Sequence, residues 1–151
     1  TEHLISKNVD GLYVGGTTGE GVFMSVAERE LVAETVIEQV NDRIPVIIHV
    51  GALSVRDAVT LAEHANQIDV SGISSVVLTY YESLESLSAY YSQIAQAVPD
   101  LPFLGYMFGG TVDAVPLMQK LMKMQPYQLQ AIKIHLDWQL LAINQQTALY
   151  K

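Results

Sequence analysis

The chain has no cysteine. Disulfides, thiolate-bound zinc and thiol chemistry are excluded, and the composition suits a cytoplasmic location. Basic residues are scarce: 8 Lys and Arg stand against 16 Asp and Glu, a net charge of −8. A phosphate backbone would be repelled, which argues against nucleic acid as a partner. No apolar run approaches the roughly 20 residues that span a bilayer, so no membrane partner is expected. The opening shows no signal-peptide pattern and lacks an initiator Met; "TEHLISKNVDG" reads as the back half of a helix, and the expectation is that the beginning is missing. What is present is 151 residues, half of them hydrophobic, about one domain. A chain of that length buries roughly two thirds of its surface.

Short apolar runs recur. They begin near Gly11 (GLYVGG), Pro45 (PVIIHV), Ile73 (ISSVVLTYY), Pro102 (PFLGYM) and Gln130 (QAIKIH), at spacings of 28 to 34 residues. Each is rich in Val, Ile and Tyr and little alternated, as strands buried on both faces are. Helical patterns lie between. Ser25 with Glu28 forms a capping box ahead of a helix whose expected inner side is Val26, Leu31, Val32, Thr35 and Val36. Ser54 with Asp57 repeats the device. A third helix starts at "SLESL", a fourth is capped by Asp113 with Pro116 in its first turn, and a fifth, "DWQLLAINQQTALY", is capped by Asp137. Alternation of this kind predicts a parallel sheet with helices outside. A doubly wound sheet and an eightfold barrel both fit it; the even spacing near 28 residues matches the barrel, with five of its units in this chain.

In either architecture ligands bind at the carboxyl ends of the strands. The first strand ends in Gly15-Gly16-Thr17-Thr18-Gly19-Glu20. Glycines admit close backbone approach, and two Thr hydroxyls with their N–H groups suit a carboxylate or phosphate. A plain strand-to-helix turn with locally satisfied threonines explains the same residues. The spacing is neither that of a Walker loop nor that of the dinucleotide fingerprint. Lys133 is the only Lys or Arg inside an expected strand. A lysine in an apolar pocket has a lowered pKa, so its amine can be a neutral nucleophile, as Schiff-base chemistry requires; an edge or snorkelling lysine is the alternative. Tyr106 ends the fourth strand toward the same rim and could move protons there, or it could be core. Tyr80 and Tyr81 end the third under the same two readings. His49 and His135 lie on strands without a third ligand at metal spacing, so they read as polar lining, and no metal is expected.

The stretches "GLYVGGTTGEG…S.AERE", "IPVIIHVGALS…A..LAEHA" and "AIK" resemble the N-acetylneuraminate lyase and dihydrodipicolinate synthase family of pyruvate-dependent class I aldolases, most strongly from Val9 to Ala65. The resemblance implies a (β/α)8 TIM barrel, of which residues 1–151 are a partial domain supplying strands two to six, and a homotetramer. It implies that Lys133 forms the imine with pyruvate and that Tyr106 carries the proton. Thr18 and the Thr17 backbone, with Gly16 beside them, match the carboxylate cradle. The Thr17 hydroxyl matches a proton relay, which Tyr81 completes from a neighbouring subunit. Side chains carry all of this, so no cofactor is called for; the partners implied are pyruvate and a sugar acid.

"GLYVGG" and "HVGALS" look more like the sialic acid lyases, and no base follows Tyr106 in "MFGGTVDA" where a dihydrodipicolinate synthase carries an arginine. The implied reaction is cleavage of N-acetylneuraminate to N-acetylmannosamine and pyruvate. A dihydrodipicolinate synthase, another sugar-acid aldolase and a non-catalytic remnant are the alternatives. This sequence departs from the family pattern at Met107-Phe108-Gly109, at Leu78 and Thr79, where prolines are usual, and at His135, where a small hydroxyl residue is common.

Overall fold

The computed structural model describes residues 1–76, 83–108, 116–117, 119–120, 129–136 and 139–143; from Met107 on, its strands are described by their backbone. In chain order the elements are α1 (Glu2–Ile5), β1 (Leu12–Val14), a 3-10 turn (Gly21–Phe23), α2 (Val26–Val40), β2 (Val46–His49), α3 (Val55–Gln67), β3 (Gly72–Val76), α4 (Leu84–Ala97), β4 (Phe103–Phe108), β5 (Leu129–Leu136) and β6 (Gln139–Ile143). Residues 116–117 and 119–120 are helical as well, which includes Pro116. The expected caps Asp113 and Asp137 lie outside the described residues, as do Tyr80 and Tyr81.

The strands form one sheet in the order β1-β2-β3-β4-β5-β6. Every neighbouring pair from β1 to β5 is parallel. This order decides between the two architectures. A doubly wound sheet reverses direction part-way and covers both faces; here the order never reverses. Among the described residues, one face of the sheet packs on helices. Leu12, Val14, Val46, Ile48, Ile73 and Phe103 join α2, α3 and α4 in a single core, while the alternate residues Tyr13, Ile47, His49, Ser74 and Tyr106 belong to the other face. That is one arc of a barrel wall. Ile73, Leu87, Ile94, Tyr90 and Tyr91 are fully buried in its outer layer, where each large side chain contributes roughly 1.5–3 kcal/mol.

The helix starts follow the caps. The Ser25 Oγ accepts the Glu28 N–H and the Glu28 carboxylate accepts the Ser25 N–H at 2.8 Å, a complete capping box. Ser83 and Ser86 build another at α4. At α3 only half of the device forms: Ser54 accepts the Asp57 N–H, and Asp57, one methylene shorter than glutamate, does not return the bond. The inner side of α2 also differs from expectation. Leu31 is 62% exposed and Thr35 is exposed. The buried stripe is Arg29, Ala33 and Val40, with Val26, Val36 and Ile37 partly covered, which is the three-then-four spacing of a helix face.

The last element corrects the expectation of a fifth helix. Gln139–Ile143 pairs antiparallel with β5, Leu136 opposite Gln139. A parallel neighbour needs a crossover of about a dozen residues or more; β6 starts three positions after β5 ends, so it can only run back. A short apolar run such as Leu140–Ile143 cannot be assigned to helix or strand by periodicity, and the open edge of β5 decides it. Among the described residues no helix is long and apolar enough to cross a membrane.

Candidate active site

β1 leads straight into the glycine-rich loop. Gly15 turns the chain with φ of 72°, the left-handed region that glycine enters freely. The Gly16 carbonyl then accepts the Gly21 N–H at 3.2 Å, and the Thr17 carbonyl accepts the Glu20 N–H at 3.0 Å. Gly21 lies so close beneath that a Cβ there would sit 2.0 Å from the Gly15 oxygen. The loop is therefore tied by its backbone. Thr17 and Thr18 are left exposed, and neither hydroxyl bonds to a neighbour among the described residues. Local satisfaction, the simple turn reading, is not what the structure has. Gly16 is buried under Tyr13: a Cβ at 16 would meet the Tyr13 Cε1 at 2.7 Å.

On the face away from the helices, the Tyr13 hydroxyl donates to the Ser74 Oγ at 2.9 Å. Burial pushes the Tyr13 phenol up, the Ser74 bond opposes this, and the nearby Tyr106 phenol adds to the rise. Tyr106 is half-buried on β4, and its carbonyl accepts the Tyr91 hydroxyl at 3.2 Å. The register pairs Val76 with Tyr106 and Tyr106 with Lys133. Tyr106 and Lys133 are thus neighbours on adjacent strands, on one rung. Tyr81 lies outside the described residues, so its relation to this rung is not part of the geometry. His135 sits two residues on, opposite Phe108.

One cluster escaped the sequence reading of His49 as mere lining. His49 is buried, and its Nε2 accepts the Val76 N–H at 3.0 Å. Burial first, and then the Arg29 guanidinium, lower its pKa to about 4; a bond to the Gly15 backbone works against them. The ring is accordingly neutral near pH 7. Arg29 is itself buried on α2. It donates to the Gly51 carbonyl at 3.0 Å and to the His49 carbonyl, while its Nε has no partner among the described residues. Desolvation lowers the Arg29 pKa. The signal was present in the sequence: the stripe through Val26, Ala33 and Val40 runs through Arg29. Among the described residues no group of three His, Asp or Glu could hold a metal.

The dihydrodipicolinate synthetase family model matches residues 1–137. The chain belongs to that family. Among relatives, N-acetylneuraminate lyase A of Xenopus laevis is 36% identical over 133 residues, covering 83% of this chain and 44% of that protein. The solved N-acetylneuraminate lyase of Aliivibrio salmonicida superposes with a TM-score of 0.84 at 32% identity, covering 91% of this chain and 47% of that one. A solved dihydrodipicolinate synthase superposes at 0.77 and 26% identity over 87% of this chain and 46% of the other. The chain spans a little under half the length of these proteins. The family is one of class I pyruvate-dependent aldolases built on the (β/α)8 barrel, and the parallel arc of β1 to β5 is the corresponding part of that barrel.

Proposed function

We propose that this chain carries the pyruvate-binding part of a Schiff-base lyase that cleaves N-acetylneuraminate to N-acetylmannosamine and pyruvate. The observation that carries the proposal is the shared rung of Tyr106 and Lys133, at the end of the sheet where the Gly15–Thr18 loop leaves β1. In this reading Thr18 and the Thr17 backbone N–H, with Gly16 beside them, hold the substrate carboxylate, and the Thr17 hydroxyl is left for proton relay. The Lys133 amine attacks the keto carbon and water leaves, forming the imine. The protonated imine draws in the electron pair of the breaking carbon–carbon bond while Tyr106 accepts the proton of the hydroxyl whose oxygen becomes the aldehyde carbonyl. The aldehyde product leaves, the enamine takes up a proton, and water releases pyruvate. Thr17 and, from a neighbouring subunit, Tyr81 relay that proton. The full barrel works as a cytoplasmic homotetramer, residues 1–151 being part of a single domain.

The sugar-acid assignment draws on the names of the relatives and on the absence of Lys and Arg from 107–119. A second reading, a non-catalytic family member, draws on the Met107-Phe108-Gly109 departure. Intact mass after incubation with pyruvate and borohydride separates them. A reduced pyruvyl adduct that disappears in Lys133→Ala supports the lyase chemistry. A folded chain that stays unmodified refutes it.

A further inference from the structure

The buried His49 imidazole spans two strand ends that have no direct contact in the sheet order, since β1 and β3 are separated by β2. On the β3 side its Nε2 accepts the Val76 N–H at 3.0 Å. That assigns the ring proton to Nδ1; the Gly15 backbone is the group that opposes the fall in the ring's pKa on the β1 side, and a Cβ built on Gly15 would lie 3.7 Å from the His49 carbonyl oxygen. The Arg29 Nη2 lies 3.3 Å from Nδ1 but is a donor, so it cannot receive that proton; it donates instead to the carbonyl of His49 itself. The pocket closes tightly on the ring. A Cβ on Gly51 would sit 2.9 Å from the His49 Nε2 and 2.7 Å from the Ser75 Oγ. The ring, its tautomer and its strand exit are all held.

We propose that His49 is a positioning residue, which fixes the Gly15–Thr18 loop against β3 so that a substrate whose carboxylate the loop holds presents its keto carbon to the Tyr106–Lys133 rung. Two register facts support it. Val76, which His49 caps, is the β3 partner of Tyr106, and Tyr106 is the β4 partner of Lys133. A single imidazole thus links the turn residue of the loop to the rung that would do the chemistry. His49 touches no reacting atom in this scheme. The inference rests on the lyase reading above, and its test separates the two.

The test uses the full chain with two ketones, pyruvate and methyl pyruvate, the second lacking the carboxylate. Borohydride trapping at Lys133 is measured against concentration for the unsubstituted chain, His49→Leu and His49→Gln. His49→Leu is expected to raise the half-saturating pyruvate concentration by about tenfold or more, the scale at which small misplacements are felt. The maximal trapping rate and the methyl pyruvate curve should stay within about twofold. In His49→Gln the amide can accept from Val76 and donate to Gly15, so the pyruvate curve returns most of the way. If His49→Leu is not recovered folded, His49→Asn replaces it; its shorter amide cannot reach both partners and should show the same selective loss. Equal weakening of both ketones, or no weakening, overturns the inference while leaving the lyase reading intact. No adduct with the unsubstituted chain overturns both.

Discussion

Acid should weaken this fold through one ring. His49 has a folded-state pKa of about 4 against an ordinary value of 6.5. Above about pH 6.5 the ring is neutral whether the chain is folded or not, and its linkage to stability is flat. As pH falls below that value the unfolded chain takes up a proton that the folded chain refuses. Stability drops until the folded ring also protonates, near pH 4, and is flat again below it. The gap corresponds to about 3 kcal/mol, of which about 2 kcal/mol is gone by about pH 5. Set against total stabilities of roughly 5–15 kcal/mol, that is a large share. Glu2 and Glu28 are held below the usual carboxylate range, Glu2 chiefly by its bond to Arg43 and Glu28 by the Ser25 backbone N–H; what they add is lost as pH falls below about 4.5, mostly under this window. The assay is urea unfolding of the unsubstituted chain and of His49→Gln from about pH 7.5 to about pH 4. The difference between the two removes every other titrating group. It should swing in favour of the glutamine variant as pH falls. Two curves that run parallel across the range would refute the account of His49 as a neutral, desolvated ring beside a buried cation.

Gly21→Ala is expected to cost at least about 2 kcal/mol in urea unfolding and to abolish the pyruvate adduct, because its Cβ would lie 2.0 Å from the Gly15 oxygen, a backbone atom that can move only by opening the loop. An alanine variant of ordinary stability would mean that the loop is not closed in this way. Tyr91→Phe removes the hydroxyl that serves the Ser75 and Tyr106 carbonyls; a loss of about 1–3 kcal/mol is expected, with trapping at Lys133 retained in the folded fraction. A variant as stable as the unsubstituted chain would show that those carbonyls find other partners.

Much of the arc was legible. The runs at Val46–His49 and Phe103–Phe108 are almost wholly apolar, the sequence pattern of strands inside a parallel sheet, and the Ser25–Glu28 pair marks its helix start within one residue. Lys133 stood out because a cation inside such a run is costly unless something uses it. Other features could not be read. Leu31 looked like core and is exposed, since the choice between two neighbouring helix faces depends on which one the sheet presses. The stretch from Gln139 became a strand because the edge of β5 lay open to it, a fact of tertiary structure. The Arg29–His49–Gly15 link joins residues from α2, β2 and the end of β1, and no local pattern relates a buried guanidinium on one helix to a ring on a strand 20 residues later.

β6 has a consequence for completing the barrel. A closed (β/α)8 wall is parallel throughout, and the outer edge of β5 is the place where its next strand must add. Here that edge is already occupied, by a strand running the opposite way. One edge can pair with one strand at a time. Any further strand that joined the wall at this edge would have to displace Gln139–Ile143 from Ile132–Leu136.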